Sequence, residues 1–258
     1  MPNENLVDQF TAQVERFVQS PHVNAPEPVA QFVAAVGPRP EERAIDVACG
    51  PGLLAKAFGP RVRELVGVDL TPAMVERART LAREAGVTNA RFEVADALAL
   101  PFAAGSFDLG VTRLALHHFP DPAAALREIA RVVRPLGRLG VFDMTTSEVE
   151  EEARYHNEVE RLRDPSHARA LPLSELLRLA GLAGFEADHV ETVDYELDVE
   201  DWIARAEQSE DEARRARARI AAAVGTARFG GKHIRRDPAG ALMFTVRWAI
   251  LVATRREG

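Results

Sequence analysis

Asp46, Asp69 and Asp96 each follow a short apolar run, and the turn Cys49-Gly50-Pro51-Gly52 lies between the first two. A residue without a Cβ reaches dihedrals closed to other residues and lets a ligand lie against the backbone, so Gly50 and Gly52 read as a cradle. A carboxylate at the tip of the following strand, Asp69, is placed to accept hydrogen bonds from both hydroxyls of a ribose. The pattern departs from G-x-G-x-x-G, because the third glycine is missing and Asp46 precedes the turn. That departure disfavours a dinucleotide, whose pyrophosphate needs the helix N-terminus. His117 and His118 follow a later apolar run, and imidazole titrates near neutrality, where it can take a proton. The single cysteine, Cys49, reads as a small buried hydrophobe; it excludes an intramolecular disulfide and fits a reducing cytoplasm.

Positioning these groups requires strands that end where the carboxylates begin. Ala44, Ile45, Val47 and Ala48 form the near-continuous apolar run of a strand buried on both faces, and Leu53 to Phe58 restarts the chain at helical spacing. Further strands are expected at Glu64–Val68, Arg91–Val94, Phe107–Val111 and Arg138–Phe142. Helices should start at Thr71-Pro72, capped by the threonine hydroxyl, and at Asp121-Pro122. This alternation predicts a parallel, doubly wound α/β sheet, with ligands outside the carboxyl ends of its strands. An amphipathic helix through Phe10 and Phe17, ending near Ser20-Pro21, either caps the ligand or packs on the sheet. Downstream, Ser174 should cap a helix to Ala183 and a strand should follow near Val190–Leu197. A long charged helix is expected from Val199 to Val224, then a loop to Gly240 and a last strand, Leu242–Thr254. One domain spans 1–258: a core of about 27–144 and 173–258, a cap helix at 1–20, and lid insertions at about 145–172 and 199–240.

Bulk properties narrow the class. With 47% hydrophobic and 28% charged residues the chain is an ordinary globule rather than a disordered one. A net charge of −7 argues against a nucleic-acid backbone as partner. The N-terminus lacks a basic flank and apolar core, so no signal peptide is read, and a cytoplasmic location is expected. The longest apolar stretch, Ala241–Thr254, is interrupted by Arg247 and is too short to span a bilayer. Monomer and homodimer both stay open.

The pieces "DVACGPG", "GVDLTPAMVERAR", "ADALALPFAAGSFDLG", "RLALHHFPDP" and "EIARVVRPLGRLGVFD" together resemble the ubiquinone/menaquinone-biosynthesis-type (methyltransferase type 11) branch of the class I S-adenosylmethionine (SAM) dependent methyltransferases. The resemblance implies a Rossmann-like seven-stranded sheet in the order 3-2-1-4-5-7-6 with the last strand antiparallel. It implies SAM as cofactor, S-adenosylhomocysteine as product, and no metal. Asp46 would hold the methionine amino group, with Ala48, Gly50 and Gly52 along the cofactor tail. Asp69 would grip the ribose, with Leu70 and Met74 packed nearby; Asp96 and Ala97 would address the adenine; Arg113 and Leu114 would border the sulfonium.

Methyl transfer from a sulfonium is an in-line displacement, and a base near the methyl group takes the proton that a phenol, amine or activated carbon gives up. His117 and His118 are the candidates, one at most facing the pocket. Phe17, Tyr155, His156, Arg163 and His167 are candidates for acceptor contact. Lys232, His233, Arg235 and Arg236 read as a solvated basic loop, with contact to an acidic acceptor as the alternative. The acceptor is expected to be a small, partly apolar molecule such as a quinone precursor or phenol. A SAM-supported reaction without methyl transfer, such as a cyclisation, is the alternative.

Overall fold

Two helices open the chain, α1 (Pro2–Gln19) and α2 (Pro26–Val36), in a computed structural model that describes residues 2–19, 26–206, 208–226, 228–230 and 233–257. Ser20-Pro21 and Lys232 lie outside the described residues. Gly37, at φ 55°, ends α2 and sends the chain into β1 (Arg43–Val47), whose last four residues are all buried. Then α3 (Ala55–Phe58), β2 (Glu64–Asp69), α4 (Pro72–Glu84), β3 (Ala90–Val94), β4 (Phe107–Arg113), α5 (Pro122–Val132) and β5 (Val133–Thr146) alternate as the apolar periodicity implies. The remainder is α6 (Glu150–Arg163), β6 (Leu171–Pro172), α7 (Leu173–Leu182), β7 (Phe185–Asp198), α8 (Val199–Ile203), α9 (Glu210–Ala222), β8 (Ile234–Arg236) and β9 (Leu242–Arg255).

The strands lie in the order β3-β2-β1-β4-β5-β9-β7. Pairing is parallel from β3 to β5, and β9 runs antiparallel to both of its neighbours. This is the seven-strand path that the resemblance implies, with two short additions: β6 pairs with the end of β5, and β8 with β9. Apolar clusters cover both faces of the sheet. Phe32, Phe58 and Phe142 anchor one of them, Phe107, Leu126 and Phe185 the other. Burial on both faces is why the central strands read as unbroken apolar runs.

Local chemistry explains several departures from expectation. Thr71 does not cap α4 with its side chain; Asp69 Oδ1 instead accepts from the Thr71 amide at 2.9 Å. Asp121 does cap α5, accepting from Ala124 N at 2.9 Å. Ser174 lies inside the first turn of α7 and hydrogen-bonds Glu148. The long charged helix is two helices. Asp198 caps α8, and a capping box of Ser209 and Glu212 restarts the chain as α9. β5 begins at Val133 rather than Arg138, running through Leu136 at φ 59° with a register shift opposite Phe107/Leu109. The expected loop before the last strand contains β8.

Candidate functional site

The carboxyl ends of β1, β2 and β4 open onto a cavity of about 140 Å³. Asp46, at 2% exposure, is at its base. Burial, opposed by the Arg113 charge and reinforced by Asp69, raises its pKa to about 7. Arg113 is itself lowered to about 10 by burial, against the pull of Asp46 and Asp143. Ala48, Gly50 and Gly52 have φ of 57°, 53° and 77°, so the turn consists largely of left-handed backbone. The two glycines do different work. A Cβ on Gly50 would meet nothing within 4 Å, which leaves an open cradle facing the cavity. A Cβ on Gly52 would stand 2.8 Å from Ala78 Cβ; Gly52 does not line this cavity but lets the turn approach α4.

Asp69 ties the cradle to the second strand. Its Oδ2 accepts from Gly50 N and its Oδ1 from Thr71 N, both at 2.9 Å. Burial raises the Asp69 pKa, against these backbone hydrogen bonds. Leu70, Met74, Asp96, Ala97, Arg113 and Leu114 also line the cavity, and Asp96 Oδ1 accepts from Leu98 N at 2.8 Å. From the opposite side α1 supplies Phe10 and Phe17, so this helix caps the cavity.

The histidine pair divides. His117 Nδ1 donates to Asp143 Oδ1, and Asp143 also accepts from the backbone of Ala115, Leu116 and Met144. Burial lowers the His117 pKa, but the Asp143 carboxylate outweighs it and leaves it raised. His117 therefore fixes the loop after β4; it lines a second, adjoining cavity but not the first, so both imidazoles face a cavity where one at most is expected from the sequence. His118 lines the first cavity. Its Nδ1 faces Ser166 O at 3.1 Å and Ser166 Oγ at 3.0 Å, and the Ser166 hydroxyl donates to Asp164 Oδ1 at 2.6 Å. Both neighbours of Nδ1 are thus acceptors, so Nδ1 carries the proton and Nε2 keeps its lone pair. Burial, then the His117 charge, lowers the His118 pKa to about 4, leaving the ring neutral at pH 7.

A second cavity of about 90 Å³ adjoins the first. Phe17, Leu114 and His118 line both. Its other walls include Arg163 from α6, Trp202 from α8, Met144 from the end of β5 and Trp248 from β9. Tyr155, His156 and His167 line neither cavity. Tyr155 Oη donates to Arg219 O on α9 at 2.7 Å. His156 is fully buried, with Nδ1 2.8 Å from Thr146 Oγ1 and Nε2 3.2 Å from Glu160 Oε1. His167 Nε2 lies 2.8 Å from Asn157 Oδ1, with its ring 5.7 Å from that of His117. Tyr155 thus ties α6 to α9, His156 and His167 hydrogen-bond within residues 146–167, and the His167 ring packs beside His117 of the loop after β4. His233, Arg235 and Arg236 lie outside both cavities, and Arg235 pairs with Glu196. Sequence reasoning missed Asp143, Arg16 and Arg205. For Asp143 a signal existed: an acid ending the fifth apolar run, in the same place as Asp46 and Asp69 on theirs.

Among the described residues no helix is long and apolar enough to cross a membrane. Nor is any group of three His, Cys, Asp or Glu side chains among them arranged to hold a metal ion.

A methyltransferase-domain family model matches residues 45–141. Over 167 residues the sequence is 39% identical to the methyltransferase YcgJ of Bacillus subtilis (strain 168), covering 65% of this chain and 66% of that relative. The alignment thus spans just under two thirds of YcgJ. The YcgJ crystal structure superposes with a TM-score of 0.84 at 32% identity, over 90% of this chain and 99% of that one. BH2331 from Bacillus halodurans C-125 gives 0.83 at 28% identity, over 89% and 99%. Demethylmenaquinone methyltransferase of Corynebacterium kroppenstedtii is 37% identical over 109 residues, 42% of this chain and 44% of the relative. With the cradle, the two strand-end carboxylates and the β3-β2-β1-β4-β5-β9-β7 sheet, these matches establish that the chain belongs to the class I SAM-dependent methyltransferases.

Proposed function

We propose that the protein methylates a small, partly apolar molecule, such as a quinone precursor or phenol, by in-line displacement. The observation that carries this reading is the shared wall of Phe17, Leu114 and His118, because a donor in the first cavity and an acceptor in the second would meet there. The similarity to a demethylmenaquinone methyltransferase points the same way for the substrate class.

The residues of the first cavity fit SAM. Asp46 would take the methionine ammonium, and the open cradle of Ala48 and Gly50 would lie along the tail. Asp69 would accept from the ribose hydroxyls, beside the Gly50 and Thr71 amides it already holds. Asp96 and Ala97 would address the adenine, Leu70 and Met74 would pack against the nucleoside, and Arg113 and Leu114 would border the sulfonium. Gly52 would act through the turn's packing on α4. Bound there, the cofactor supplies an electrophilic methyl group.

The chain contributes alignment, water exclusion and a proton acceptor. Phe10 and Phe17 close the cavity from the α1 side. His118 Nε2 takes the acceptor's proton as the nucleophile forms its new bond, and Ser166 holds the tautomer that leaves Nε2 free. His117 positions that loop through Asp143.

Calorimetric titration with SAM and S-adenosylhomocysteine tests the cofactor site. Wild-type protein is expected to bind both ligands. Asp69→Ala should weaken each by roughly 100-fold or more, since it removes charge-assisted hydrogen bonds of about 1.5–3 kcal/mol each. No binding by wild-type protein would sink the reading. Binding without methylated product across a panel of phenols and quinols would favour the cyclisation alternative.

A further inference from the structure

The second cavity is cationic in a protein whose net charge is −7. Arg16, Arg163 and Arg205 line it, and Asp164 is the one carboxylate among the described residues that does. That carboxylate is already engaged. Its Oδ1 accepts from Gln9 Nε2 at 3.2 Å, Ser166 N at 3.0 Å and Ser166 Oγ at 2.6 Å, and Oδ2 pairs with Arg163 at 3.4 Å. Arg16 donates to Ala206 O at 3.1 Å, and Arg163 to Trp202 O at 3.2 Å. Arg205 differs from both. Its buried Nη2 has no hydrogen-bond partner among the described residues, and none of the salt bridges among them includes Arg205. Burial, with the neighbouring Arg163 charge, lowers its pKa to about 10, against the pull of Asp201, Tyr195 and Asp198.

A buried guanidinium donor left unpaired is destabilising unless a ligand completes it. The three arginines line the second cavity alone, whereas the wall shared with the first consists of Phe17, Leu114 and His118. The cations therefore belong to the part of the cavity away from the donor. The rest of the lining is mostly apolar, with Trp202 and Trp248 most prominent and Gln13 and His117 the polar members; Arg163 lies over the Trp202 ring at 5.2 Å. Building on the acceptor-site reading above, we infer that the acceptor is an amphipathic acid: its carboxylate is held on Arg205 with Arg163, its apolar body lies against the tryptophans, and the atom to be methylated faces His118. The carboxylate serves as a handle and not as the nucleophile.

Trp202 and Trp248 are the chain's only two tryptophans and both line this cavity, so intrinsic fluorescence reports on it directly. The experiment titrates protein saturated with S-adenosylhomocysteine against matched acid and amide pairs: 4-hydroxybenzoate with its amide, 4-hydroxycinnamate with its amide, and a 3-hydroxy fatty acid with its amide. Inorganic phosphate is a separate arm, to distinguish a carboxylate from a bare-anion preference. At least one acid should bind tenfold or more tightly than its amide. That ratio should fall to about one in Arg205→Met and recover in part in Arg205→Lys, with S-adenosylhomocysteine affinity unchanged in both variants. Equal binding of acid and amide in every pair would overturn the inference, as would a preference that survives Arg205→Met, or phosphate competing as well as the acids. An acid that binds selectively but yields no methylated product with SAM would leave the handle standing and sink the acceptor-site reading instead.

Discussion

Asp46 trades stability for a binding site. Its pKa in the folded protein, about 7, lies above the ordinary 3.8, chiefly through burial. A raised carboxyl pKa contributes stability in full below about pH 3.8, and that contribution is lost as the pH rises through 7. Asp46→Asn removes the loss. The variant should be more stable than wild type at pH 8, by roughly 2–4 kcal/mol at about 1.4 kcal/mol per unit, and no more stable at pH 4. Urea denaturation at the two pH values measures this. If the ionised carboxylate receives the ammonium of SAM, wild-type affinity should also fall about tenfold per pH unit below 7, and the fall should be absent in Asp46→Asn. A pH-independent wild-type affinity would remove Asp46 from the cofactor site. His118 supplies the contrasting case, a histidine held neutral by burial. His118→Gln should lower kcat for a phenolic acceptor by about 10²–10⁴ while changing S-adenosylhomocysteine affinity only a few-fold. An unchanged kcat would exclude it as the base.

At the scale of elements, the turn after β1 is held between two packing demands. Gly50 opens to the cavity and is constrained only by its φ, whereas Gly52 is wedged against α4 at Ala78 and against Phe92. Gly52→Val should therefore destabilise the fold by about 3 kcal/mol or more through clash and left-handed strain, read as a lower urea midpoint. Gly50→Ala should cost about 1–2 kcal/mol. Equal losses would contradict the division of labour between the two glycines. The sequence shows both residues as cradle glycines, because a motif records that a Cβ is excluded and not what excludes it. The same limit applies to the histidine pair. The doublet announces chemistry, but which imidazole reaches the first cavity depends on Asp143 and Ser166, distant in the chain. Local determinants were legible in part: Asp121 caps α5 and the apolar strands carrying Asp46 and Asp69 lie where periodicity puts them, whereas the Thr71 hydroxyl does not cap α4 and Ser174 lies inside α7. The break between α8 and α9 was also legible, as Ser209 followed by Glu212, but the charged run hid it.

Across the whole molecule, the first cavity and the sheet that supports it are assembled from different lengths of chain. Every described residue lining the first cavity lies before Asp121. The sheet closes only with the last strand: β9 inserts between β5 and β7 and pairs antiparallel with both. Until Leu242–Arg255 is in place, β7 has no neighbour in the sheet and β5 presents an open edge. β9 also contributes Ile250, Leu251 and Ala253 to the two apolar layers, one on one face and two on the other. Such non-local pairing leaves no periodic signature, which is why the strand order came from family resemblance and not from local pattern. The expected consequence is that a chain ending at Ala241 retains every described side chain of the first cavity yet fails to bind S-adenosylhomocysteine and loses its cooperative urea transition. Calorimetry and denaturation of the truncated chain test this together. Retained binding would mean that the first five strands form a self-sufficient cofactor module, with the β9–β7 pair serving only the acceptor side, where Trp248 and Val246 line the second cavity. The burial of β9 on both faces argues for the first outcome, because an unpaired β5 edge and two uncovered apolar layers would have to be tolerated in water for the second.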